Sequence, residues 1–221
     1  MNYEELDILY RSRVTLLKML KEEGYTTDKY ERFGPWEIEA MVHGGQESLA
    51  MELKRPSKSG GEPEEGEIVN CHVLYSLGKL KQKIKTFVDQ LLAAERVPLV
   101  DPKNTEVIVI VLEDVAEVFH AEALRMWFSE SKLKIRFFKA HNLIFDPREH
   151  IHVPKHEKLP KEQHEEFLKT NYIRSKANLP IIKFHEDMIA RVMGLVPGDI
   201  VKITRPSPAA GTYEIYRVCM P

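Results

Sequence analysis

The eight residues TEVIVIVL, Thr105 to Leu112, constrain this chain more than any other stretch. β-Branched side chains follow one another without the polar alternation of a half-wet strand. Such a run fits a central strand covered on both faces. A strand of that kind needs helices on either side of its sheet, so the surrounding sequence is read for them first. From Tyr3 to Glu22, Leu6, Tyr10, Arg13/Val14, Leu17 and Leu20 recur at three- and four-residue steps, and Gly24 supplies a stop. That spacing predicts an amphipathic helix. "WEIEAMVH" and "SLAMELKR" read as short alternating strands joined across "GGQE", a turn that suits a hairpin. Residues 56–67, rich in Pro, Gly, Ser and Glu, lack the apolar side chains that offset ordering entropy and are expected to form a mobile surface loop.

Leu74, Leu77, Leu80, Ile84, Phe87/Val88 and Leu91 predict a second helix over 74–92. A third is expected over about 114–129 with Asp114 as N-cap, followed by strand structure in "KIRFFKAHNLIF". The order helix, strands, helix, buried strand, helix, strand makes an α/β domain over 1–145. Beyond it, "DPREHIHVPKHEKLP" is dense in proline, histidine and charge and reads as a connector, about 146–158. A helix over about 161–171, an extended stretch at Pro180, and a short helix over about 187–193 ended by Gly194 come next. Two closing strands complete a small α+β domain over 146–221. Gly211 in the turn between them permits a positive φ.

Composition bounds what the chain can do. Its 221 residues are 43% hydrophobic and 30% charged, the profile of an ordinary globular protein. No apolar run approaches the roughly 20 residues of a membrane-spanning helix, and the first residues are acidic where a secretory signal is basic. These features predict an intracellular protein. Cys71 and Cys219 stand far apart in no CxxC pattern, which suggests buried thiols. With a net charge of −2, and neither half a polycation, any contact with nucleic acid has to be local.

Four features bear on chemistry. Glu52-x-Lys54 in "MELK", with Glu39 on the segment before it, is how restriction-type nucleases arrange metal-holding carboxylates and a lysine that polarises water. The same residues also suit the solvent face of a hairpin. His150, His152 and His156, with His141 and His164 not far away, offer imidazoles, but Pro154 interrupts them and no cysteine is near. A histidine-rich connector is the simpler reading than zinc. Lys79, Lys81, Lys83 and Lys85 suit a solvated face or a phosphate backbone passing a helix N-terminus. Arg205 and Arg217 on the closing strands either cap a small core through their stems or grip a partner's carboxylates and carbonyls. No Ser-His-Asp spacing, P-loop or dinucleotide loop is present, and no cofactor is expected.

"HVPKH" (His152, Pro154, Lys155 and His156 among its residues), "LPKEQHEEFLKTNYI", Leu179-Pro180 and "DMIARVMGLVPGDIVKITRPSPAAGTYEIYR" follow in unbroken order over about 150–219. Together they resemble the C-terminal domain of the fifth subunit shared by eukaryotic nuclear RNA polymerases, a family with an archaeal counterpart. More loosely, "LYRSRVTLLKMLKEEGY", "KIKTFV" and "TEVIVIVL" resemble that family's N-terminal domain. Since the archaeal counterpart is the C-terminal domain alone, the two parts together imply the eukaryotic type or a large DNA virus.

The resemblance implies a non-catalytic subunit of a DNA-directed RNA polymerase. Its C-terminal assembly domain would dock on the largest subunit. Its N-terminal domain, of restriction-nuclease-like topology, would stand in the lower jaw near downstream double-stranded DNA, making weak, local contact. Other polymerase subunits are implied partners, a membrane and a second copy of the chain are not. The setting would be the nucleus, or a cytoplasmic viral factory or virion. Partner-facing candidates are His152, Pro154, Lys155, His156, Arg191, Arg205, Ser207, Gly211, Tyr213 and Arg217, and DNA-proximal candidates are the four lysines 79, 81, 83 and 85. This chain departs from the family's S-E-T-A-G-R-Y turn with Ser207-Pro208-Ala209-Ala210-Gly211-Thr212-Tyr213. It also places Glu113-Asp114 in the loop that approaches DNA in the family, where carboxylates would repel phosphates. The rival readings are a metal-dependent nuclease using Glu39, Glu52 and Lys54, and a free-standing DNA-binding module, which the balanced charge disfavours.

Overall fold

Every residue of Thr105–Val111 is buried, and parallel strands flank it on both edges. The computed structural model describes residues 2–57, 67–93 and 101–221, so positions 58–66 of the predicted 56–67 loop lie outside the described residues. The chain divides into two units, Met1–Asp146 and Pro147–Pro221. Among the described residues no helix is long and apolar enough to cross a membrane.

In the first unit, α1 spans Tyr3–Glu22. It begins in a reciprocal cap: Asn2 Oδ1 accepts from the Glu5 amide at 2.7 Å and Glu5 Oε2 from the Asn2 amide at 3.1 Å. Its buried face carries Leu9, Leu16, Leu17 and Leu20, and also Arg13, whereas Val14 is exposed. Arg13 is tolerated inside because Nη1 donates to the Leu49 carbonyl at 2.7 Å and the guanidinium lies over the Tyr30 and Tyr75 rings. The segment expected to be the first arm of a hairpin is instead a helix, α2, Pro35–Gly44. Pro35 presets the first helical φ and Glu37 Oε2 accepts from the Gly34 amide at 3.0 Å. Ile38, Met41 and Val42 therefore share one face at helical spacing, which outweighs the partial alternation of "WEIEAMVH".

β1 (Met51–Lys54) pairs antiparallel with β2 (Asn70–Ser76), a strand that the helical spacing of Leu74, Leu77 and Leu80 concealed. Inside β2 the inward set is Cys71, Val73 and Tyr75, a period of two. The helix predicted over 74–92 is accordingly confined to α3, Ile84–Leu92, which buries Ile84, Phe87, Val88 and Leu91. β3 (Thr105–Val111), α4 (Glu117–Phe128) and β4 (Lys134–Lys139) complete a sheet of order β1-β2-β3-β4, with β2, β3 and β4 mutually parallel. Asp114 does not cap α4. The helix starts three residues later, after Ala116, and Asp114 pairs with Lys139 at 2.7 Å. Only the first half of "KIRFFKAHNLIF" is strand, since Ala140–Leu143 turns into a short 3-10 helix.

One charged residue interrupts β3. Glu106, 1% exposed, accepts from Tyr25 Oη at 2.9 Å and Arg136 Nη2 at 2.7 Å, and Lys134 Nζ lies 3.0 Å from its other oxygen. Burial alone would raise the Glu106 carboxyl pKa, but the attraction of Arg136 and Lys134 outweighs it and holds the pKa at about 2.

The second unit holds β5 (Lys155–Lys158), α5 (His164–Thr170), β6 (Ile181–Lys183), α6 (Met188–Val192), β7 (Ile200–Ser207) and β8 (Gly211–Met220). Its sheet order is β5-β7-β8-β6. The predicted connector thus contains a strand: "KHEK" adds antiparallel to β7, because main-chain pairing with a neighbouring edge needs no apolar side chains. The helix expected over 161–171 is split into a 3-10 turn, Lys161–Gln163, and α5. Leu179, Ile200 and Val218 form a buried cluster beneath α5, with Phe167 against Tyr216 at 4.3 Å between ring centres. Asp187 caps α6, accepting from the Ile189 and Ala190 amides at 2.8 and 3.1 Å, and Gly194 follows it at φ +58°.

Two outcomes follow from these interactions. Because the folded Glu106 pKa lies below the unfolded value of about 4.3, its stabilisation is present above pH 4.3 and lost as the pH falls toward 2. Glu106→Gln should cost roughly 3–5 kcal/mol at neutral pH, by leaving Arg136 short of its counter-charge, and should flatten acid unfolding across that window. Chemical denaturation at a series of pH values checks both. Asp187→Ala should cost about 1 kcal/mol in the same measurement, through loss of the cap alone.

Candidate functional site

The closing hairpin of the second unit is longer than the strands beside it. β7 pairs with β5 only from Val201 to Thr204, and β8 pairs with β6 only from Val218 to Met220. Past those points the outer edges of residues 205–207 and 211–217 carry no strand among the described residues. The turn is short: Ser207 opposes Gly211, the Ala210 amide donates to Ser207 Oγ at 3.3 Å, and Gly211 takes φ +73°. An added Cβ at Gly211 would meet nothing within 4 Å, so the backbone angle and not crowding calls for glycine here.

Register decides which side chains share a face. Directly opposed residues of an antiparallel pair point the same way. Arg205 opposes Tyr213, Ser207 opposes Gly211, Val201 opposes Arg217, and Ile203 lies between Ile215 and His156. His156, Arg205, Ser207, Gly211, Tyr213 and Arg217 therefore lie on one face of the sheet, while Lys155 takes the other and pairs with Glu157 at 2.7 Å. Toward the base this face is apolar and buried at Val201 and Ile203. Toward the tip it opens into exposed Arg205 and Tyr213.

Arg217 has a structural use as well, donating from Nη1 to the Ile181 carbonyl at 3.2 Å. His156 Nδ1 lies 2.7 Å from the Pro154 carbonyl and is its donor. His152 is exposed. Arg191 departs from expectation: it is 7% exposed within α6, so its side chain offers little to an outside partner. Burial lowers its guanidinium pKa to about 10, with Asp187 opposing the shift.

In the first unit the four lysines do not alternate along a helix. Lys79, Lys81 and Lys83 lie in the turn between β2 and α3, with Lys83 in the N-cap position, and only Lys85 is helical. Glu113 and Asp114, expected to repel phosphates, are both engaged. Glu113 Oε1 accepts from the Leu80 and Lys81 amides at 2.6 and 2.7 Å, and Asp114 holds Lys139. Glu113 thus fastens the lysine turn. Sequence periodicity carries no trace of that clamp, because it joins positions 33 residues apart.

The nuclease-like trio is not assembled as expected. Glu39 sits on α2 and not on a strand, while Glu52 and Lys54 lie on the exposed face of β1. The edge of β1 at Glu52 is covered by Tyr30, whose hydroxyl accepts from the Glu52 amide at 3.0 Å and donates to its carbonyl at 3.3 Å. Of the histidines only His150 and His152 meet among the described residues, with ring centres 5.5 Å apart. His164 is buried, with Nε2 3.1 Å from the Leu159 carbonyl and Nδ1 2.7 Å from Lys176 Nζ, while His141, His150 and His152 are exposed. Among the described residues no three His, Cys, Asp or Glu side chains could hold a metal ion.

Comparison with known proteins matches this arrangement to one family. Residues 145–219 match the family described as RNA polymerase Rpb5, C-terminal domain. The chain is 30% identical over 217 residues to the DNA-directed RNA polymerases I, II, and III subunit rpabc1 of Dictyostelium discoideum, covering 98% of this chain and 100% of that protein. The DNA-directed RNA polymerase subunit Rpo5 of Archaeoglobus fulgidus is 51% identical over 74 residues, 34% of this chain and 95% of its own length. The Thermococcus kodakarensis Rpo5 is 43% identical over 75 residues, 34% of this chain and 85% of its own. With one relative matched over 98% of this chain and a family model matched over residues 145–219, this chain belongs to the Rpb5 family of DNA-directed RNA polymerase subunits.

Proposed function

We propose that the chain is a non-catalytic subunit of a multisubunit DNA-directed RNA polymerase, incorporated as a single copy. In this reading residues 146–221 dock on the largest subunit, and residues 1–145 stand as a jaw beside downstream double-stranded DNA. The observation that carries the docking half is the pair of open edges on the β7–β8 hairpin. A partner segment can add to such an edge through main-chain hydrogen bonds, with specificity left to the side chains along it. Arg205, Tyr213 and Arg217 supply a guanidinium fork, an aromatic anchor and a second fork on one face. A tight turn with Gly211 already at positive φ leaves little backbone freedom to lose on docking.

Support for the jaw half comes from residues 79–85, whose ammonium groups have no ion-pair partner among the described residues and whose two neighbouring carboxylates are engaged. The first unit is read as a restriction-nuclease-like fold used as a scaffold: one antiparallel edge strand followed by three parallel ones, with no cluster of carboxylates to hold a metal among the described residues. The proposed setting is the nucleus, following the eukaryotic relative. No cofactor is part of this reading.

Gly211→Val tests the docking surface. Forcing a β-branched residue into a left-handed conformation costs roughly 1–2 kcal/mol or more, which corresponds to about a ten-fold loss of affinity. Co-purification with the largest polymerase subunit should fall by about that factor, and Gly211→Asn, which tolerates the same φ, should fall less. Thermal unfolding run in parallel separates lost docking from lost folding. Wild-type recovery of the largest subunit with the valine variant would contradict the assignment.

A further inference from the structure

A cavity of about 540 Å³ opens beside the lysine turn, bounded by Gln46, Ser76, Lys79, Lys83, Thr86 and Gln90 with Leu80 and Phe87 as its apolar wall. We infer that this cavity binds a phosphate ester. It deepens the jaw reading above and rests on it only for the expectation that the phosphate belongs to nucleic acid.

The polar lining is rich in donors. Lys79 and Lys83 bring ammonium groups, and Ser76 and Thr86 bring hydroxyls. Gln46 presents its amide N–H₂ side, because its Oε1 is occupied by the Leu77 amide at 3.2 Å. No carboxylate lines the space. Ser76, the last residue of β2, is 8% exposed, and its hydroxyl makes no hydrogen bond to another described residue. The hydroxyl is thus a donor without a partner among the described residues, free to pair with a ligand oxygen in the same space.

Two features of the surroundings add to this. α3 has nine residues and begins at Ile84 with no side-chain cap from Lys83, so its positive end stays available beside Thr86. Glu113, in the loop after β3, spends one oxygen on the Leu80 and Lys81 amides and does not line the cavity. It acts as a positioning residue that orders the turn carrying both lysines. The volume falls in the roughly 300–1,000 Å³ range of small-ligand clefts, and exceeds what a bare oxyanion needs. Leu80 and Phe87 therefore have room to pack against the group to which the phosphate is esterified.

The test uses the full chain, isotopically labelled for amide NMR, titrated separately with inorganic phosphate, a 5′-mononucleotide and a short DNA duplex. Saturable shifts at Ser76, Lys79 and Thr86 are expected with the mononucleotide. Lys83→Gln should weaken binding about ten-fold and Ser76→Ala several-fold, each with an unchanged unfolding temperature. Should Lys83→Gln disturb folding, Lys79→Gln in the turn serves in its place. For the duplex, neutralising both lysines should lower the slope of log affinity against log salt by about two. Shifts with phosphate or mononucleotide but none with duplex would support the pocket while removing the DNA reading of the jaw. Absence of saturable shifts with all three probes overturns the inference. So would unchanged affinity in the variants, or tighter binding at the same residues by a glutamate-rich peptide.

Discussion

Glu106 is the one acidic residue in a strand that is apolar from Val107 to Val111, and much of the polar pairing in the first unit's interior serves to neutralise it. Its three partners come from two places: Tyr25 beyond the end of α1, and Lys134 and Arg136 on β4. Glu106 also lies opposite Cys71 on one side and Lys134 on the other in the strand ladder. Sliding β3 by one residue would turn the carboxylate to the opposite face, away from all three partners, at a cost that hydrocarbon contacts on either face would not impose. A uniformly apolar strand has no such register signal. With β2 and β3 held in step, the end of β2 at Ser76 and the loop after β3 at Glu113 come together, and that juxtaposition brings Glu113 to the amides of Leu80 and Lys81.

The second unit solves a different problem. Its core is small, and the closing hairpin reaches beyond the two strands that flank it. Rigidity at the tip comes from local chemistry: a three-residue connection, the Ser207 hydroxyl bound to the Ala210 amide, and glycine at the one left-handed position. Alternation along β7 and β8 then sends Ile200 and Val218 into the cluster beneath α5 and aims Arg205 and Tyr213 outward from the other face. A single periodicity thereby builds both the interior and the exposed surface.

Much of this was legible in the sequence where one pattern dominated. Thr105 to Leu112 announces a buried strand, Tyr3 to Glu22 a helix, and the hairpin its own turn glycine. Errors arose where two periodicities overlapped. Leu74, Leu77 and Leu80 satisfy helical spacing, yet Cys71, Val73 and Tyr75 satisfy strand spacing, and long-range pairing with β1 and β3 decided for the strand. "WEIEAMVH" is ambiguous in the opposite sense, resolved by Pro35 and the Glu37 contact to the Gly34 amide. β5 was invisible because its pairing uses main chain, and side chains such as Lys155 and Glu157 reveal nothing of it. At the candidate sites the lysines and the hairpin residues could be named from sequence. Ser76, Gln46 and the Glu113 clamp could not, since each matters only through neighbours distant along the chain.

An unpaired strand edge does not discriminate in advance among the strands it will accept. Before incorporation, β8 exposes its bare backbone over residues 211–217 to any extended chain nearby, a sister molecule included. β7 is better shielded, because Pro206 has no amide to offer and Arg205 sets a charge beside it. The geometry that suits the hairpin to a large assembly thus makes the newly made, orphan polypeptide adhesive along one side. Its exposure to misassociation scales with the time it spends alone between synthesis and assembly.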